Sequence, residues 1–145
     1  MEKNYPSAIL FVDDDEATNF INRIIVFNAG YKGDVLNFKD SELAFDYLVG
    51  ITSDFLPQHQ SDTTYLVFLD LQMPQFNGWS FLNRYLTLPE SKRRRFKFVV
   101  LSSSIDPEDK SRAMQYRDVI HFVSKPLRQE KVHEVLEMFE VGRRA

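Results

Sequence analysis

Two apolar runs in this chain stop abruptly on carboxylates. The stretch "LVFLDLQMP", residues 66–74, runs into Asp70, and the run from Ala8 to Val12 runs into Asp13, Asp14 and Asp15. Two later runs end differently: one leads into Ser102, Ser103 and Ser104, the other into Ser124 and Lys125. Clustered carboxylates repel one another and take up protons unless a cation neutralises them. An all-oxygen ligand set selects a hard ion. A few carboxylates with waters and a backbone carbonyl suit Mg²⁺ better than they suit a closed Ca²⁺ cage. A lysine and a hydroxyl then complement a bound phosphoryl group. A carboxylate whose charge is shielded by a metal can act as a nucleophile and form an acyl-phosphate. Asp70, alone at the end of its run, is the candidate for that role.

Such chemistry needs elements that bring these run ends together. Strands are expected at 8–12, 34–38, 65–70, 96–101 and 119–123. Helical periodicity fills the intervals. Residues 15–29 place Phe20, Ile21, Ile24, Ile25 and Phe27 on one face and stop at Gly30. Residues 41–51 align Ala44, Tyr47, Leu48 and Ile51. Further helices are expected from Gly78 to Leu88, from Asp106 with Pro107 in the first turn, and around Val132, Val135, Leu136 and Phe139. Five β/α units imply an α/β fold, a five-stranded parallel sheet with helices on both faces, in which the central strands are continuously apolar. Right-handed crossovers leave few windings. The half-polar second strand suits an edge, so the doubly wound order 2-1-3-4-5 is expected. In that order every strand's C-terminal end lies on one rim, and ligands bind where the order reverses, between the first and third strands.

Composition narrows the function classes. A length of 145 residues fits one domain, taken here as 1–145 with its core at about 8–140, and 43% hydrophobic residues with 13 Phe supply ample core. A net charge of −3 gives no electrostatic footprint for nucleic acid. The absence of cysteine excludes disulfides and thiolate metal sites. No segment is long enough to span a membrane and the N-terminus has no signal pattern, so a cytoplasmic protein is expected.

The ordered set of residues resembles the receiver domains of two-component response regulators, from about Ala8 to Phe139. The resemblance rests on the acidic pair Asp13 and Asp14, on "DLQMPQFNG" from Asp70 to Gly78, on Ser102 ending the fourth strand, and on "KP" at Lys125 and Pro126. It implies that Asp70 accepts a phosphoryl group from a histidine kinase or a histidine phosphotransfer protein. It further implies that Asp14, Asp70 and the backbone carbonyl of Gln72 hold Mg²⁺, with Asp13 helping through water. Ser102 would bond the phosphoryl oxygens, Lys125 would pair with them, and Lys125–Pro126 would be a cis peptide. The switch position is Phe122, where the family often has tyrosine; an aromatic rotation remains available to it, but no hydroxyl. With the last helix consuming the chain to about Glu140, a stand-alone receiver is expected, its output passing through contacts with a downstream protein.

Simpler readings apply to several residues. Asp15 reads as a helix cap, Ser103 and Ser104 as loop, Arg93 to Arg95 as a solvated connection, and His59, His121 and His133 have no metal spacing. The segment "GITSDFLPQHQSDTTY", residues 50–65, is longer than the family's usual connection, so an extended helix and a surface loop are expected there. Two alternatives come from other classes. A pseudo-receiver binding module typically lacks the acceptor or the lysine, and both are present. A haloacid dehalogenase-like Mg²⁺ phosphatase would carry its nucleophile after the first strand in a D-x-D-x-T/V pattern; Asp13 and Asp15 have the spacing, but Ala17 stands at the last position.

Overall fold

The computed structural model describes residues 4–53 and 63–144. Within them the chain runs β1 (Ala8–Val12), α1 (Glu16–Asn28), β2 (Asp34–Phe38), α2 (Ser41–Ile51), β3 (Tyr65–Leu69), α3 (Gly78–Tyr85), α4 (Glu90–Arg93), β4 (Phe96–Ser102), α5 (Pro107–Ala113), β5 (Val119–Ser124) and α6 (Gln129–Arg144). All strand pairs are parallel and the order is β2-β1-β3-β4-β5, the expected flavodoxin-like winding.

The inner strands β1 and β3 are buried at every position, because helices cover both faces of the sheet. Alternate residues feed two cores. Leu10, Val67, Phe98 and Val100 pack with Leu48 of α2, Phe81 and Tyr85 of α3, and Ala113 of α5. Ile9, Phe11, Phe68 and Val99 pack with Val26 of α1 and with Val132, Val135 and Phe139 of α6. The edge strand β2 is half-exposed, as its polar pattern requires.

Helix α1 departs from the sequence expectation. Most of its apolar stripe does not face the sheet: Phe20 and Phe27 are 63% and 77% exposed, Ile21 and Ile24 are also exposed, and only Ile25 of the five packs against the core. The inward face carries Asn19, Asn22 and Val26, spaced i, i+3, i+7. The reason lies at the strand ends, where the Asn19 amide donates to the carbonyls of Asp13 at 2.8 Å and Phe38 at 3.3 Å. A buried carbonyl without a partner is costly, and satisfying these two rolls the helix so that its larger side chains point outward.

Two connections also differ. Helix α3 ends at Tyr85, three residues short of Leu88, and the short helix α4 follows. The arginine run is partly structural: Arg93 Nε donates to the Leu88 carbonyl at 2.8 Å, and Arg95 donates to the carbonyls of Thr63 at 3.0 Å and Ile51 at 3.3 Å. Arg95 thereby ties the end of α2 to the start of β3. Helix α2 stops at Ile51 with Thr52 at its C-cap; most of the long segment after it, with His59, lies outside the described residues.

At the base of the sheet, opposite the rim, one acid is fully partnered. Asp118, just before β5, lies 3.2 Å from Lys97 Nζ and 2.7 Å from the Tyr85 hydroxyl. Burial first, and then the bond to Asp118, raise the Tyr85 pKa well above its ordinary value, so the phenol stays protonated.

Candidate functional site

Register assembles the rim. Val12 pairs with Leu69, so Asp13 and Asp70, each one residue further on, stand side by side. The Asp70 N–H donates to the Val12 carbonyl at 3.0 Å and the Asp13 N–H to that of Phe38 at 3.0 Å. Ser102 pairs with Ser124, and the Lys125 N–H donates to the Ser102 carbonyl at 2.8 Å. The cis Lys125–Pro126 peptide follows, as expected. Gly78 opens α3 so close to this loop that a β-carbon there would meet the Asp70 carbonyl oxygen at 2.6 Å. No residue with a side chain fits in its place without moving the backbone that carries Asp70.

The side chains converge. Asp13, Asp14 and Asp70 each offer a carboxylate oxygen within 4.8 Å of the others, with Asp13 and Asp70 buried and Asp14 exposed. Lys125 Nζ lies 2.7 Å from Asp13 Oδ2 and 3.5 Å from Asp70 Oδ2. The other oxygens of the buried pair accept backbone bonds, Asp13 Oδ1 from Asp15 N at 2.9 Å and Asp70 Oδ1 from Gln72 N at 3.2 Å. Asp15 points away and caps α1, accepting from Ala17 N and Thr18 N. Ser102 is fully buried and Phe122 is partly buried against the α5-side core.

Electrostatically the site is unbalanced. Burial, and then the charge of Asp13, raise the Asp70 pKa above the ordinary aspartate value, and the Lys125 ammonium and the Gln72 N–H only partly offset this. Burial works against the Lys125 charge, but the bond to Asp13 and the charges of Asp70 and Asp13 outweigh it and raise its pKa. Three acids converge here, and the Lys125 ammonium is placed against two of them. The oxygen-only donor set and the uncompensated charge fit a hard divalent cation.

The sequence matches the response regulator receiver domain family over residues 9–137. The chain belongs to that family. Solved structures agree. A response regulator receiver protein from Dyadobacter fermentans DSM 18053 is 28% identical, with 91% of this chain and 97% of that chain covered and a TM-score of 0.75. A two-component response regulator from Cytophaga hutchinsonii is 23% identical over 96% of this chain and 99% of that chain, with a TM-score of 0.79. A receiver domain protein from Methanospirillum hungatei JF-1 is 22% identical over 94% and 96% of the two chains, with a TM-score of 0.68; these last two show the shared fold. A search of curated proteins gave no significant match. Receiver domains are signalling modules of two-component systems and bind Mg²⁺ at an acidic pocket, and the Asp13, Asp14 and Asp70 cluster of this receiver forms such a pocket. No described helix is long and apolar enough to cross a membrane.

Ser104, read from sequence as loop, is bonded on three sides. Its N–H donates to Ser102 Oγ at 3.0 Å, and its hydroxyl donates to Asp109 Oδ2 at 2.6 Å and accepts from Asp106 N at 3.2 Å. The signal for it was present in the Ser-x-Ser spacing followed by an Asp-Pro helix start.

Proposed function

We propose that this receiver is a phosphorylation-dependent switch whose phosphoryl acceptor is Asp70. The observation that carries the reading is a buried carboxylate of raised pKa, held between two further acids and one ammonium at the point where strand order reverses. The donor is a histidine kinase or a histidine phosphotransfer protein. An Asp70 carboxylate oxygen attacks the phosphorus of the phosphohistidine, forming a P–O bond as the P–N bond to the imidazole breaks. Asp14, Asp70 and the Gln72 carbonyl would hold Mg²⁺, with Asp13 helping through water, and the ion would supply the charge neutralisation that lets two anions approach. Lys125 pairs with the phosphoryl oxygens and Ser102 donates its hydroxyl to them.

The exposed stripe of Phe20, Ile24 and Phe27 supports a protein donor, since α1 begins directly after the acidic pair and contiguous apolar surface of this kind is usually covered by a partner. Output also passes through protein contacts, with residues 1–145 acting as one domain in the cytoplasm.

The test is incubation with Mg²⁺ and acetyl phosphate, read by intact mass. The wild type should gain one phosphoryl group and Asp70→Asn none; an equal gain in both removes Asp70 from this role.

A further inference from the structure

Helix α5 is loosely attached to the body. Of its residues only Ala113 is buried, so packing alone gives it little hold. What else holds it is specific. On its C-terminal side the Arg112 guanidinium lies 4.0 Å from the centre of the Trp79 ring, and Trp79 in turn stacks on Tyr116. On its N-terminal side the hold is polar and leads straight to the rim: Asp109 of α5 accepts from the Ser104 hydroxyl, and the Ser104 N–H donates to Ser102 Oγ.

We propose that Ser104 and Asp109 are positioning residues for the switch. Together they hold Ser102 in its resting place and couple its position to α5. This rests on the reading of Asp70 as phosphoryl acceptor. Of these three residues only Ser102 is assigned a contact with the phosphoryl group, so Ser104 and Asp109 act through it. Drawing Ser102 toward a group on Asp70 pulls it away from the Ser104 N–H, which then moves with it or loses the bond. Because the same residue is bonded to Asp109 and to the Asp106 N–H, either outcome changes how the first turn of α5 is held. A sub-ångström change at the rim thereby becomes a change in the pose of a helix. By linkage, a tether that favours the resting state also weakens binding of any ligand that favours the other state, and cutting it strengthens that binding.

The experiment uses the whole chain with Mg²⁺ and beryllofluoride, a mimic of the acyl-phosphate, and follows backbone amide signals in the wild type, Ser104→Ala, Asp109→Ala and Asp109→Asn. Signals around Asp70 should move in all four. Signals of residues 107–113 should move in the wild type and in Asp109→Asn, whose amide oxygen still accepts from Ser104, and should stay in place in the two alanine variants. The alanine variants should also bind the mimic about fivefold more tightly, the low end of ordinary coupling. Movement of residues 107–113 alike in all four proteins overturns the proposal. A second measurement needs no mimic: hydrogen exchange at the Ser104 amide in the resting protein should accelerate in Asp109→Ala and not in Asp109→Asn. Unchanged exchange there also overturns it. A wild type that binds no beryllofluoride counts instead against the phosphoryl reading, while the exchange result still decides the tether.

Discussion

The sheet buries acid at both ends and treats it in opposite ways. At the base, Asp118 has an ammonium at 3.2 Å and a phenol at 2.7 Å, one acid against one cation and one neutral donor. At the rim, Asp13, Asp14 and Asp70 converge, and Lys125 is placed against two of them, closely against Asp13 and more distantly against Asp70. The base is electrically closed, and its groups have what they need within the chain. The rim is left short of positive charge, and that deficit is what an external cation can fill. A buried acid therefore marks a functional site here only where the protein leaves it undercompensated.

That contrast can be broken most forcefully at the base. Asp118→Ala strands the Lys97 ammonium and removes one of the Tyr85 hydroxyl's partners; the expected loss is roughly 2–3 kcal/mol, read as a lower urea midpoint, with phosphoryl acceptance from acetyl phosphate retained. A base that tolerates this change as well as the rim tolerates Asp70→Asn would erase the distinction. The next effect belongs to the rim. Mg²⁺ at ten times its dissociation constant should stabilise the wild type by about 1.4 kcal/mol, a rise of roughly 4–5 °C in melting temperature, and Asp14→Ala should show no such rise. A full response in Asp14→Ala would place the ion elsewhere.

The smallest effect concerns pH without divalent ions. The folded pKa of Asp70 is raised, so its contribution to stability is fully present below the unfolded aspartate value and is lost as pH rises through the folded value. Asp70→Asn has nothing to titrate at this position. It should lack that loss and be more stable than the wild type at neutral pH by about 1 kcal/mol or less, measured by denaturant unfolding across pH. A wild type that gains stability through this window relative to Asp70→Asn would mean that the charge of Asp70 is compensated within the fold.

What could be read from sequence follows from where information is local. Asp13, Asp14, Asp70, Ser102 and Lys125 each sit at the end of an apolar run, and parallel winding sends all such ends to one rim, so their common placement there was legible without coordinates. Strand order was legible for the same reason, through the half-polar edge strand. The facing of α1 was not. Its periodicity pointed to Phe20, Ile24 and Phe27 as the inner face, but the deciding term is the pair of carbonyls that Asn19 satisfies, and these belong to other elements. The base cluster was hidden because Asp118 meets Tyr85 and Lys97 at sequence separations of 33 and 21. The Ser104 tether was legible only in part: Ser-x-Ser before an Asp-Pro helix start marks the loop, but its partner Asp109 is identified only once the helix is placed.

The strand order also sets the sequence in which the rim is built. β1 and β3 are neighbours, so Asp13 and Asp70 come together as soon as the first 70 residues have paired. Lys125 arrives on β5, the last strand in the chain and one that has a single neighbour, β4. During synthesis, at about 5–20 residues per second, both acids are made on the order of seconds before the ammonium that bridges them. A nascent chain in a medium containing a divalent ion has a substitute at hand; one without it must close the middle of its sheet against repulsion that only the final edge strand relieves.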